Sequence, residues 1–84
     1  MRQTVSVPPA TVDPRLGPVL ARLRTDRGLS QQQLASRAEL TTGTLNKIEL
    51  SRSSPTWPTL VAVARGLQIS LRDLAGLIED EGDF

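Results

Sequence analysis

Eighty-four residues with no cysteine, no histidine, one Trp and one Phe describe a small domain and exclude several kinds of chemistry. A chain this short buries one core, and without Cys or His it has no disulfide framework, no ordinary zinc site, and neither the usual general base nor the thiol nucleophile of an enzyme. The formal charge is only +1, but residues 1–52 carry eight bases against four acids and residues 53–84 carry two bases against five acids, so a basic N-terminal portion is available to face phosphates.

The first fourteen residues, with Pro8, Pro9 and Pro14 and no periodicity, predict a flexible arm. A domain is expected over residues 15–78 and an acidic tail over residues 79–84. From Leu16 the apolar positions Leu16, Val19, Leu20 and Leu23 follow helical spacing; Pro18 suits the first turn, and Gly28 suits a left-handed stop. Ser30 with Gln33 three residues on has the form of a capping box for a short second helix whose apolar face is Leu34, Ala35 and Ala38. Thr41 caps a third helix, about Thr42–Leu50, with Leu45 and Ile48 inward.

Residues 50–55 read as a loop. A fourth helix opens at Thr56 or Trp57 with Pro58 in its first turn, burying Leu60, Val61, Val63, Ala64 and Leu67. A fifth begins after Ser70 and carries Leu71, Leu74, Leu77 and Ile78 inward. No apolar run approaches the roughly 20 residues needed to cross a bilayer, and the N-terminus lacks the apolar stretch of a secretory signal, so a cytoplasmic location is expected.

The junction between the second and third helices carries the functional signal. Two helices that cross closely and steeply need a small residue at the crossing, and Ala35 provides it. Leu34, Ala38, Leu40, Leu45 and Ile48 lock the pair, which leaves Thr42, Gly43, Asn46 and Lys47 facing outward. The stretch from Gly28 to Pro55, GLSQQQLASRAELTTGTLNKIELSRSSP, resembles the Cro/repressor type of helix-turn-helix domain, also called the xenobiotic-response-element family of bacterial and phage regulators. The resemblance runs from about Leu16 to Leu74. It rests on Arg24, Gly28 to Gln31, Leu34 with Ala35, Leu45 to Glu49, Pro55 and the closing ARGLQISLRDL. Two positions depart from it: Glu39 stands where the family usually has Gly in the turn, and Leu50 and Ser51 occupy the loop where a Gly commonly follows the recognition-helix Glu.

The resemblance implies an all-α, compact five-helix bundle of the lambda-repressor-like type with the helix-turn-helix in helices 2 and 3. It also implies double-stranded DNA as partner, a repressor acting as a homodimer on a palindromic operator, and an ion pair between Arg24 and Glu49. No enzymatic activity, cofactor or metal is expected; the acids Glu79, Asp80, Glu81 and Asp83 read as a solvated tail. Expected base contacts are Thr42, Gly43, Thr44, Asn46 and Lys47: Lys donates to guanine O6 and N7, Asn pairs with adenine, a Thr methyl touches the thymine methyl, and Gly lets the backbone come close. Expected phosphate contacts are Gln31, Arg52, Arg22, Arg27 and Thr41. Leu71, Leu74, Leu77 and Ile78 are the expected dimer surface. The alternative is a protein-interaction module of the same fold, such as an antitoxin or other regulatory partner protein.

Overall fold

The computed structural model describes residues 12–81, which form α1 (Leu16–Asp26), α2 (Gln31–Arg37), α3 (Thr42–Glu49), α4 (Trp57–Gly66) and α5 (Leu71–Glu81). The residues expected to form an arm lie outside this range up to residue 11. No strand occurs among the described residues. α3 packs on α1 and α2, α4 on α2, and α5 on α1 and α4.

Local chemistry sets both ends of these helices. The hydroxyls of Ser30, Thr41, Thr56 and Ser70 each accept a hydrogen bond from the backbone N–H three residues on, at 3.0, 3.0, 3.3 and 3.0 Å. Each bond satisfies a donor that the first helical turn otherwise leaves unpaired. At Ser30 the box is closed, because its own N–H donates to Gln33 Oε1 at 2.8 Å. α1 has no side-chain cap at Arg15. Asp13 instead accepts from the Arg15 N–H at 2.9 Å and pairs with its guanidinium at 2.6 Å, which together hold the Asp13 carboxyl down at about 2.

The C-terminal ends share one device. Gly28, Glu39, Ser51 and Gln68 take φ of 69°, 58°, 60° and 59°, reversing the chain after α1, α2, α3 and α4. The next residue donates back to the helix: Leu29 to Arg24 O at 3.0 Å, Leu40 to Ala35 O at 2.8 Å, Arg52 to Lys47 O at 2.9 Å and Ile69 to Ala64 O at 3.0 Å. This is the Schellman arrangement, which normally sets an apolar residue beyond the left-handed one. Leu29, Leu40 and Ile69 comply and pack against the core; Arg52 does not, and stays exposed.

The core is Val19, Leu20, Leu34, Leu45, Ile48, Val63, Leu67 and Leu74, with Ala35, Ala38 and Ala64 where helices approach. α1 and α3 come closest at Gly17, where an added Cβ would lie 2.5 Å from the Glu49 carbonyl oxygen and 2.8 Å from that of Ile48. Gly17 was not among the residues singled out from sequence, although a glycine inside a helical pattern marks such a contact. Two expectations are corrected here. Leu74 is 1% exposed in the single chain and so belongs to the core, with no surface left for a dimer. α5 continues to Glu81 rather than ending at Ile78, since Glu79 and Glu81 favour helix and neither Gly nor Pro stands between Ile78 and Gly82.

Two predictions follow from this backbone. Gly17→Ala is expected to lower stability by about 2–3 kcal/mol, since the new methyl meets backbone that cannot yield, outweighing the ~1 kcal/mol that Ala gains in helix propensity. Urea denaturation measures it; an unchanged midpoint would show that α1 and α3 can separate freely. Glu39→Gly and Ser51→Gly are each expected to raise stability by about 0.5–1 kcal/mol, because glycine removes the left-handed penalty at a smaller entropic cost. A lowered melting temperature in either variant would contradict this.

Candidate nucleic-acid interface

α3 is held along one side and open along the other. Leu45, Ile48 and Glu49 are buried, while Thr42, Gly43, Thr44 and Lys47 are exposed and Asn46 is half-buried. The cap orders the exposed N-terminal end: Thr41 Oγ1 accepts from Thr44 N and bonds to Thr44 Oγ1 at 2.8 Å. The five expected base-reading residues therefore lie on one eight-residue helix. An added Cβ at Gly43 would meet nothing within 4 Å, so no packing inside the chain calls for a glycine there.

The C-terminal end of α3 is tied down by the Glu49 carboxylate. Arg24 donates through Nε to Oε2 at 2.7 Å and through Nη2 to Oε1 at 3.1 Å, a two-pronged pair whose side chains are 15% and 4% exposed. Arg24 Nη1 also donates to the Leu29 carbonyl at 2.8 Å, joining the pair to the reversal after α1. Gln31 Nε2 donates to Glu49 Oε1 at 3.0 Å from the start of α2. One carboxylate thus links α1, α2 and α3. Sequence reading placed Gln31 on phosphate; here one amide hydrogen serves Glu49, and the second remains for an outside acceptor.

The remaining expected phosphate contacts surround this unit. Arg52 is exposed just past α3. Thr41 is exposed at its start, with its hydroxyl engaged in the cap. Arg22 is exposed on α1, and Arg27 is exposed at the α1 C-cap, next to the reversal that leads into α2. Arg37 turns elsewhere, donating to the Gly66 carbonyl at 3.1 Å.

A packed pair of short helices joined by a tight turn, the second exposed along a polar and basic side, is the architecture of helix-turn-helix DNA-binding domains. The chain belongs to the helix-turn-helix domain family, whose sequence model matches residues 15–77. Multiprotein-bridging factor 1 of Saccharomyces cerevisiae is 34% identical over 71 residues, covering 84% of this chain and 47% of that protein. The chain spans about half the length of the curated relatives it matches. Among solved structures, the restriction-modification controller protein C.AhdI from Aeromonas hydrophila superposes with a TM-score of 0.71 at 29% identity, over 74% of this chain and 94% of that one. The controller protein C.Esp1396I, solved as a tetramer with its natural 35 base-pair operator, gives 0.78 at 22% identity over 82% and 91%; at that identity the likeness is one of fold.

Removing Arg24 leaves the Glu49 carboxylate buried with one partner instead of two. Arg24→Ala is expected to cost about 3 kcal/mol in urea denaturation, and the Arg24→Met/Glu49→Met pair clearly less, because no buried charge then remains. Equal losses in the two variants would assign the effect to packing.

Proposed function

We propose that this chain is a sequence-specific DNA-binding transcription regulator that lays α3 in the major groove and acts as a repressor, binding a two-fold operator as a homodimer. The observation that carries this reading is the exposed row Thr42, Gly43, Thr44 and Lys47, with Asn46 beside it, on a helix whose opposite side is locked by Leu45, Ile48 and Glu49. Gly43 supports it, since an unneeded glycine on an open helix face suits close approach by an outside partner. So does Arg52, the one residue in its structural position that stays out of the core. Lys47 and Asn46 would read purine edges, while Arg52, Arg22, Arg27, Thr41 and the free Gln31 hydrogen would hold phosphates. Half-sites would lie about 10 base pairs apart.

A protein-bridging role is the second reading, favoured by the name of the curated relatives and by Trp57, which is 66% exposed beside apolar neighbours. The two readings part in one experiment, a protection footprint on the DNA around the gene. The wild-type chain is expected to protect a symmetric site, and Lys47→Ala and Asn46→Ala to weaken it by roughly 5- to 150-fold, the span of about 1–3 kcal/mol per base contact. Arg52→Ala is expected to weaken all sequences alike and to reduce the log–log salt slope by about 0.9. Absence of any protected site would favour the bridging reading.

A further inference from the structure

Two large apolar side chains stand exposed among the described residues, Trp57 at 66% and Leu50 at 55%. Trp57 borders an apolar groove between α4 and α5, together with Leu60, Leu71 and Ile78. Leu50 is neither in the core nor among the apolar side chains packed against it. It is the C-cap of α3, seven residues after Gly43, four after Asn46 and three after Lys47. At 3.6 residues per turn these positions fall on one side of a helix, so Leu50 prolongs the open row of α3, away from the buried Leu45 and Ile48. Its backbone is fixed on both sides. The Leu50 N–H donates to the Asn46 carbonyl at 3.0 Å, and the reversal at Ser51 is closed by Arg52 N–H donating to the Lys47 carbonyl at 2.9 Å. An apolar side chain is thus presented at a set place between two exposed cations, Lys47 and Arg52. Glu49, the acid next to it in sequence, is turned inward to Arg24.

A lone exposed leucine is ordinary on a protein surface; what distinguishes this one is its place on a row that is otherwise small, polar and basic. On the major-groove edges of DNA the apolar group is the thymine 5-methyl, and the other features are hydrogen-bond donors and acceptors. We propose that Leu50 reads a thymine by packing on that methyl, beside the base pair that Lys47 meets, and so adds an apolar position to the operator. This rests on the major-groove placement of α3 proposed above and names what the C-terminal end of that helix recognises. Leu50 lies about 4.5 Å beyond Lys47 along the helix axis, on the scale of one base-pair step. Arg52, two residues further on, holds the flanking phosphate and keeps this end of α3 close enough for the leucine and the methyl to exclude water.

The test replaces the thymines of the footprinted site by deoxyuridine one at a time, which removes only the methyl. Duplex binding is then measured by fluorescence anisotropy with the full wild-type chain, Leu50→Ala and Leu50→Met. For the wild type, one replacement in each half-site, next to the base pair at which Lys47→Ala relaxes the preference, is expected to weaken binding about three- to tenfold. Leu50→Ala is expected to weaken the unmodified duplex by a similar factor, to become indifferent to that replacement and to keep the wild-type response at the others. Leu50→Met restores the apolar reach and is expected to recover affinity and methyl dependence to within about twofold. Both variants are expected to melt with the wild type, because Leu50 lies outside the core. A Leu50→Ala chain that keeps the full response to every replacement would overturn the methyl contact. One that binds every duplex like the wild type would overturn it too, leaving the leucine to a protein partner. Loss of binding in Lys47→Ala and Asn46→Ala alongside either result would leave the reading face intact; a wild type that protects no site would overturn both.

Discussion

The carboxylate of Glu49 governs this structure because it is buried at the one point where three helices can reach it. A charge taken out of water must be met by donors of fixed geometry, and Arg24 and Gln31 meet it from α1 and α2. The angle at which α3 leaves the domain is thereby tied to both neighbours. Gly17 acts at the same place from below, letting the α1 backbone lie against the carbonyls of Ile48 and Glu49. α3 is anchored at its C-terminal end by charge and close packing, and its N-terminal end is left to solvent.

That division explains how so short a helix can serve as a reading element. Eight isolated residues would not hold a helix in water. Here Thr41 caps the start, Leu45 and Ile48 fill the core, and the reversal at Ser51 closes the end. The exposed side chains are then free to be chosen for what they contact rather than for stability. On α5, likewise, an added Cβ at Gly76 would meet nothing within 4 Å, so packing within the chain does not call for that glycine.

The left-handed residues after the helices show how the bundle accommodates a departure from its family pattern. Glu39 and Ser51 sit in the conformation that glycine takes most easily. Each is held there by a backbone hydrogen bond from the residue that follows. The strain is small beside the burial that the reversal permits, since Leu40 reaches the core immediately after Glu39.

Local rules were enough to specify the five helices, their caps at Ser30, Thr41 and Ser70, and the stop at Gly28, because each depends on residues within one helical turn. They leave the start of α4 open between Thr56 and Trp57, and the structure makes Thr56 its cap. The apolar spacing likewise separated the inward side of α3 from its outward side. Tertiary structure alone decided the rest. Leu71, Leu74, Leu77 and Ile78 look alike in sequence, but only contact with α1 and α4 makes Leu74 core and leaves Ile78 on the groove. Gln31 reads as a phosphate contact, and only the fold, by bringing Glu49 to within 3.0 Å of its amide, shows that it also ties α2 to α3. Gly17 and Gly43 are both glycines near a helix start, and only the distance to a neighbouring backbone tells which one the fold requires. Sequence spacing records which residues share a side of a helix; what that side meets depends on chain segments far away in the sequence.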